Sequence, residues 1–73
     1  MQRKLDVRKI GDYFKKVRED YGYTIDDFSQ MLCVSRKTLL LVEKGKKMPS
    51  LLMVVRCSNE FDISADNFVI YEE

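Results

Sequence analysis

The sequence predicts an all-α fold, a compact bundle of about five short helices in one domain. Apolar residues recur at helical spacing along the first third of the chain. A start signal also repeats: an apolar residue, a hydroxyl cap, and a second apolar residue four beyond the cap. It occurs at Tyr23-Thr24 with Phe28, at Val34-Ser35 with Leu39, and at Ile63-Ser64 with Phe68. Val and Ile gather at 54–55 and 69–70, but no turn-delimited alternation supports a sheet.

The first helix is expected over about 7–21. Ile10, Phe14, Val17 and Tyr21 form one stripe, with Arg8, Lys9, Lys15 and Lys16 on the other faces. Tyr13 falls off that stripe. Gly22 stops the helix, because glycine adopts left-handed geometry cheaply. A second helix, 25–32, follows the Thr24 cap, and Asp27 gives a weak capping box. A third, 36–44, follows Ser35. Pro49-Ser50 opens a fourth, 50–60, carrying Leu51, Val54, Val55 and Phe61 on its apolar side. A fifth short helix is expected at 65–69. Met31, Met48 and Met53 suit core filling, as does Cys57.

Composition excludes several classes. The chain has 73 residues, so it holds one domain with a marginal core of roughly 3–5 kcal/mol. With 45% hydrophobic and 34% charged residues, neither disorder nor a collagen-like chain fits. No apolar run is long enough to span a membrane, and the first residues lack a signal core. Two cysteines make no disulfide framework, so the expected location is the reducing cytoplasm. Without histidine there is no His-based triad, and two cysteines do not complete a zinc site. Asp26-Asp27 sits at a helix start, where carboxylates favour the dipole rather than catalysis. No catalytic residue, metal or cofactor is expected.

The net charge of +1 conceals a striped order. Residues 1–18 carry +5, residues 19–34 carry −4, residues 35–48 carry +4, and residues 49–73 carry −4. Two basic blocks of this kind form an electrostatic footprint for nucleic acid. Only Cys33, Val34 and Ser35 separate helices 25–32 and 36–44, which forces a sharp crossing.

From Ile10 to Phe68 the chain resembles the Cro and lambda-repressor-like (XRE-type) helix-turn-helix family. The segments that carry the resemblance are IGDYFKKVRED, TIDDFSQMLCVSRKTLLLVEKGKKMPS and DISADNF. Its most specific ensemble is Arg18, Val34-Ser35, Leu39, Glu43-x-Gly45 and Pro49-Ser50. The resemblance implies a lambda-repressor-like bundle with the helix-turn-helix at 25–44. It makes Arg18 and Glu43 a structural pair, and Gly45 the positive-φ stop of the recognition helix. Leu39 and Val42 become that helix's buried face, and Ser58, Phe61 and Ile63 close the core. The outer face of helix 36–44 would enter the major groove of double-stranded DNA. Ser35, Arg36, Lys37, Leu40 and Leu41 would face bases. Lys44, Lys46 and Lys47, with the helix start at Thr24 and Ile25, would meet phosphate. Residues 1–6 form a basic arm, 7–69 the domain and 70–73 a tail. Arg3, Lys4, Arg8 and Lys9 would add nonspecific affinity.

The resemblance further implies a transcriptional repressor of the kind found in phages and bacteria, binding a palindromic operator as a homodimer. Val69, Ile70 and Tyr71, unusually apolar for a chain end, are dimer candidates or a β-like tail, because termini fray unless tied down. Several positions depart from the family. Ile25 replaces a polar Gln and its side chain cannot donate. Ser29 replaces a small Ala. Cys33 and Asp62 replace loop glycines, and positive φ there costs about 1–2 kcal/mol for a residue with a side chain. Leu40 and Leu41 replace polar residues. They suit thymine methyl groups, a protein partner, or packing on this chain or a second subunit. The rival function is a protein-interaction module, or an antitoxin, using the Leu40/Leu41 surface.

Overall fold

A computed structural model describes residues 3–73. The first two residues of the expected arm lie outside the described residues. Four α-helices, α1 (Val7–Asp20), α2 (Ile25–Leu32), α3 (Arg36–Glu43) and α4 (Leu51–Phe61), precede a 3₁₀ helix (Ala65–Phe68). The expected fifth helix is thus present as a single tighter turn.

The starts obey the cap grammar. Thr24 Oγ1 accepts from the Asp27 amide at 3.1 Å, and Ser35 Oγ from the Thr38 amide at 3.0 Å. Ser50 caps α4 through the Met53 amide, and Ser64 caps the 3₁₀ helix through the Asp66 amide. Asp6 caps α1 by accepting from the Lys9 amide at 3.0 Å. The stops need left-handed backbone. Gly22 and Gly45 have φ of 75° and 72°, while Cys33 and Asp62 hold φ of 57° and 53°.

The core comprises Ile10, Phe14, Val17, Phe28, Leu32, Leu39, Val42, Met53, Cys57 and Phe68. Phe68 packs at 4.8 Å on Phe14 and edge-on at 4.9 Å on Tyr13, which gives the off-stripe tyrosine its place. Ser29 is buried and donates to the Asp26 carbonyl at 2.8 Å, so its hydroxyl is satisfied. Phe61 and Ile63 lie half-buried against the core. Ser58 is half-buried, and its hydroxyl finds no hydrogen-bond partner.

Four core expectations are corrected. Tyr21 lies beyond the last turn of α1, 54% exposed, and stacks on Phe61 at 4.2 Å. Met48 is exposed in the α3–α4 loop. Leu51 is 78% exposed and Val55 is exposed as well, because α4 turns Met53 and Cys57 inward at a spacing of four.

The two chain ends meet. Leu5 and Tyr71 form an antiparallel bridge. The Asp6 amide donates to the Ile70 carbonyl at 2.7 Å, and the Glu72 amide to the Lys4 carbonyl at 2.8 Å. Arg3 lies over the Tyr71 ring at 4.4 Å, and Lys9 pairs with Glu73 at 3.2 Å. Basic arm and acidic tail therefore face each other, and Ile70 packs toward the core.

Candidate nucleic-acid interface

The crossing of α2 and α3 is fixed from both sides. Leu32 and Leu39 are fully buried where the two helices meet the core. Between them Cys33 turns the chain through left-handed geometry, and Ser35 caps α3 at once. A helix of eight residues is thereby held on the protein surface with its Leu39 and Val42 side buried.

A buried ion pair ties α3 to α1. Arg18 Nε and Nη2 donate to Glu43 Oε2 and Oε1 at 2.9 and 3.1 Å, a bidentate fork. Arg18 Nη1 also donates to the Tyr23 carbonyl at 3.1 Å. The two side chains are 14% and 6% exposed. The bonds to Glu43 hold the Arg18 guanidinium above its already high range. The pair's function is positional: it sets the far end of α3 relative to α1.

The outer face is cationic. Arg36, Lys37, Lys44, Lys46 and Lys47 are all exposed, as is Ser35. Arg36 pairs loosely with Asp26 at 3.4 Å, both ends open to solvent. Such a pair contributes about 0–1 kcal/mol and yields easily to a stronger acceptor. Arg8, from the first turn of α1, runs its stem beside Gly45, where an added Cβ would meet it at 2.8 Å. Arg8 thereby joins the lysines at the end of α3.

Leu40 and Leu41 are half-buried, and neither packs on the core cluster. Ile25 is half-buried against the core. Thr24 is exposed, yet its hydroxyl is engaged as a cap, and Asp26 and Asp27 occupy the first turn of α2. Those carboxylates compete with any phosphate for the same amides. Of the tail, Val69 and Tyr71 are exposed and Ile70 is half-buried.

Sequence reasoning missed the Arg36–Asp26 pair and the seat of Arg8. Both depend on elements meeting in space, and neither leaves a periodic signal. Among the described residues no His, Cys, Asp and Glu group could hold a metal ion. No helix among them is long and apolar enough to cross a membrane.

Two short helices crossing over a three-residue turn, the second turned outward and basic, define a helix-turn-helix unit. The helix-turn-helix family model HTH_3 matches residues 14–68, and the chain belongs to that family. It is 38% identical over 80% of its length to a Thermococcus kodakarensis protein provisionally named an HTH-type transcriptional regulatory protein. The chain spans only 18% of that relative's length. It is 34% identical to an uncharacterized HTH-type transcriptional regulator of Methanocaldococcus jannaschii, covering 81% of this chain and 89% of that one. The N-terminal DNA binding domain of SinR from Bacillus subtilis shares the fold, with a TM-score of 0.75 at 22% identity. That match covers 90% of this chain and 94% of the other.

Proposed function

We propose that this protein is a sequence-specific DNA-binding transcriptional regulator, a repressor that acts by occupying its operator. The observation that carries the reading is the outer face of α3. It is held rigid by the Arg18–Glu43 fork and presents exposed Arg36 and Lys37 beside Ser35. Arg36 and Lys37 suit the guanine O6 and N7 acceptors of the major groove. Half-buried Leu40 and Leu41 suit apolar contact with thymine methyl groups. Lys44, Lys46 and Lys47 suit phosphate, which positions the protein rather than reading sequence. The Thr24 and Ile25 amides make a weaker phosphate contact, since two carboxylates share their helix turn. The names of the relatives support the class, as regulators with a helix-turn-helix.

Repression by occupancy needs no chemistry, so no enzymatic role and no cofactor enter the reading. The protein works in the cytoplasm, where its operator lies. The operator is palindromic, read by a homodimer whose half-sites lie about one helical turn apart. The rival reading, a protein-interaction module or antitoxin using the half-buried Leu40 and Leu41, would instead give a leucine-dependent protein complex and no binding to duplex DNA. Selection of bound sequences from a random DNA pool tests the reading. Enrichment of a palindrome is the expected result. No enrichment, with no salt-dependent binding to any duplex, overturns it.

A further inference from the structure

The two chain ends carry opposite charge and are bound to each other in a fixed register. Leu5 stands across from Tyr71 in the antiparallel bridge, which sets Lys4 across from Glu72 and Arg3 across from Glu73. Backbone bonds hold that register, from the Glu72 amide to the Lys4 carbonyl and from the Asp6 amide to the Ile70 carbonyl. Side chains add to it. Lys9 Nζ donates to Glu73 Oε1 at 3.2 Å, and the Arg3 guanidinium lies 4.4 Å from the centre of the Tyr71 ring. Arg3, Lys4 and Lys9 therefore all stand against the tail. They also stand on the side that faces phosphate. Arg8, next to Lys9 in the first turn of α1, reaches Gly45 at the end of α3. Leu5 and Tyr71 line one groove with Met48 and Pro49, which directly follow Lys46 and Lys47.

We propose that the tail is an autoinhibitory strap: Glu72 and Glu73 take the place of DNA phosphate on Arg3, Lys4 and Lys9, and so hold back the affinity these cations would add. A cation engaged by a carboxylate must give up that partner before it neutralises a phosphate. The engagement is built to yield. Lys9 and Glu73 are both exposed, and a solvent-exposed pair is weak and screened by salt. The strap therefore grades binding rather than preventing it. Each phosphate contact it withholds removes about 0.9 from the salt slope, because fewer counterions are released. The base-facing end of α3 is left alone: Ser35, Arg36 and Lys37 neither join the bridge nor line the groove beside it. Phosphate contacts carry no sequence information, so the strap weakens binding to operator and to random duplex by the same factor.

This inference rests on the DNA-binding reading of the preceding section, and its test separates the two. The whole chain is titrated against a labelled random duplex by fluorescence anisotropy, from about 50 to about 200 mM salt. Glu72→Gln with Glu73→Gln should tighten binding about three- to tenfold at the low end and steepen the salt slope by about one to two. Backbone groups make the bridge, and both side chains are exposed, so the variant keeps its fold. Glu19→Gln with Glu60→Gln changes the net charge equally at exposed sites outside the bridge, and should give less than about a twofold gain. Glu73→Gln alone should tighten binding about twofold, and should have no effect in a Lys9→Ala background. A parent that binds duplex with no gain in the tail variants overturns the strap and leaves the DNA reading standing. An equal gain in the Glu19 and Glu60 control overturns it too, since bulk charge then accounts for the effect. A Glu73→Gln gain that survives Lys9→Ala does the same. No duplex binding by any of these proteins at low salt removes the operator reading, and the strap with it.

Discussion

Gly11 of α1 faces the carbonyl oxygen of Val42 in α3 with no room for a side chain between them. An added Cβ would overlap that oxygen, lie 3.1 Å from its carbon and 3.4 Å from the Gly45 nitrogen. All three are backbone atoms, so relief requires the helices to part. Gly11→Ala should therefore cost about 3 kcal/mol, most of what a domain of this size holds. Gly22→Ala is the control: its φ is 75° but nothing lies within 4 Å, so about 1 kcal/mol is expected. Thermal melts by circular dichroism compare the two. Equal losses would contradict the close crossing.

The Arg18–Glu43 fork should behave as a mostly buried pair. Removing one partner leaves a charge without compensation in a poorly solvated place. Arg18→Met or Glu43→Leu alone should cost about 3–5 kcal/mol. Together they should recover much of the loss, because two apolar side chains need no counter-charge. Denaturant melts of the four proteins form the cycle. Additive losses would show that the fork is not a coupled unit.

Contacts to DNA should divide by element. Arg36→Ala should weaken binding to a selected operator far more than to random duplex. Lys46→Ala should weaken both and lower the salt slope by about one. Asp26→Asn frees Arg36 from its surface partner and should tighten binding by about two- to threefold. Fluorescence anisotropy at several salt concentrations separates these. An equal loss on both duplexes for Arg36→Ala would remove its base-reading role.

The two thiols should differ in reactivity. Cys33 is exposed, whereas Cys57 is fully buried, and burial pushes its thiol up to about 11 from the ordinary 9.0. The folded chain thus keeps a proton that the unfolded chain surrenders first. The resulting stability is complete below pH 9.0 and is lost as pH climbs through about 11. One equivalent of iodoacetamide label, at Cys33, is expected under native conditions. Cys57→Ala should reduce the fall in stability between pH 8.5 and pH 10 by about 1 kcal/mol.

Much of the fold was legible because it is written locally. Thr24, Ser35, Ser50 and Ser64 each cap the helix their position announces. Cys33 and Asp62 hold the positive φ that their stand-in for glycine implied. The Arg18–Glu43 pair followed from family likeness, not from periodicity. What escaped depends on distance along the chain. Gly11 carries no signal of the carbonyl it faces. Leu51 fits an apolar stripe, yet the register of α4 is decided by Met53 and Cys57, which turn it outward. Tyr21 fits a stripe too, but the helix ends before it and Phe61 takes it up as a surface stack. The apolar tail reads as a dimer contact or a β-like tail, and it does form a β-like bridge; what escaped is its partner, Leu5 of the arm, which carries no local sign of the pairing.

The bridge between Leu5 and Tyr71 is also the seam along which the molecule should open. Its hydrogen bonds close nearly the whole chain into a ring, and such closure carries the largest entropy cost of any contact here. The helical pairs that precede it join nearer neighbours and can form without it. The Asp6 and Glu72 amides should therefore exchange with deuterium through local opening, orders of magnitude sooner than the amide of Phe14, which waits for global unfolding. Equal protection at all three would mean that ends and core separate in a single event. If the seam parts first, the protein alternates between a ring and an open chain without losing α3 or the fork that holds it.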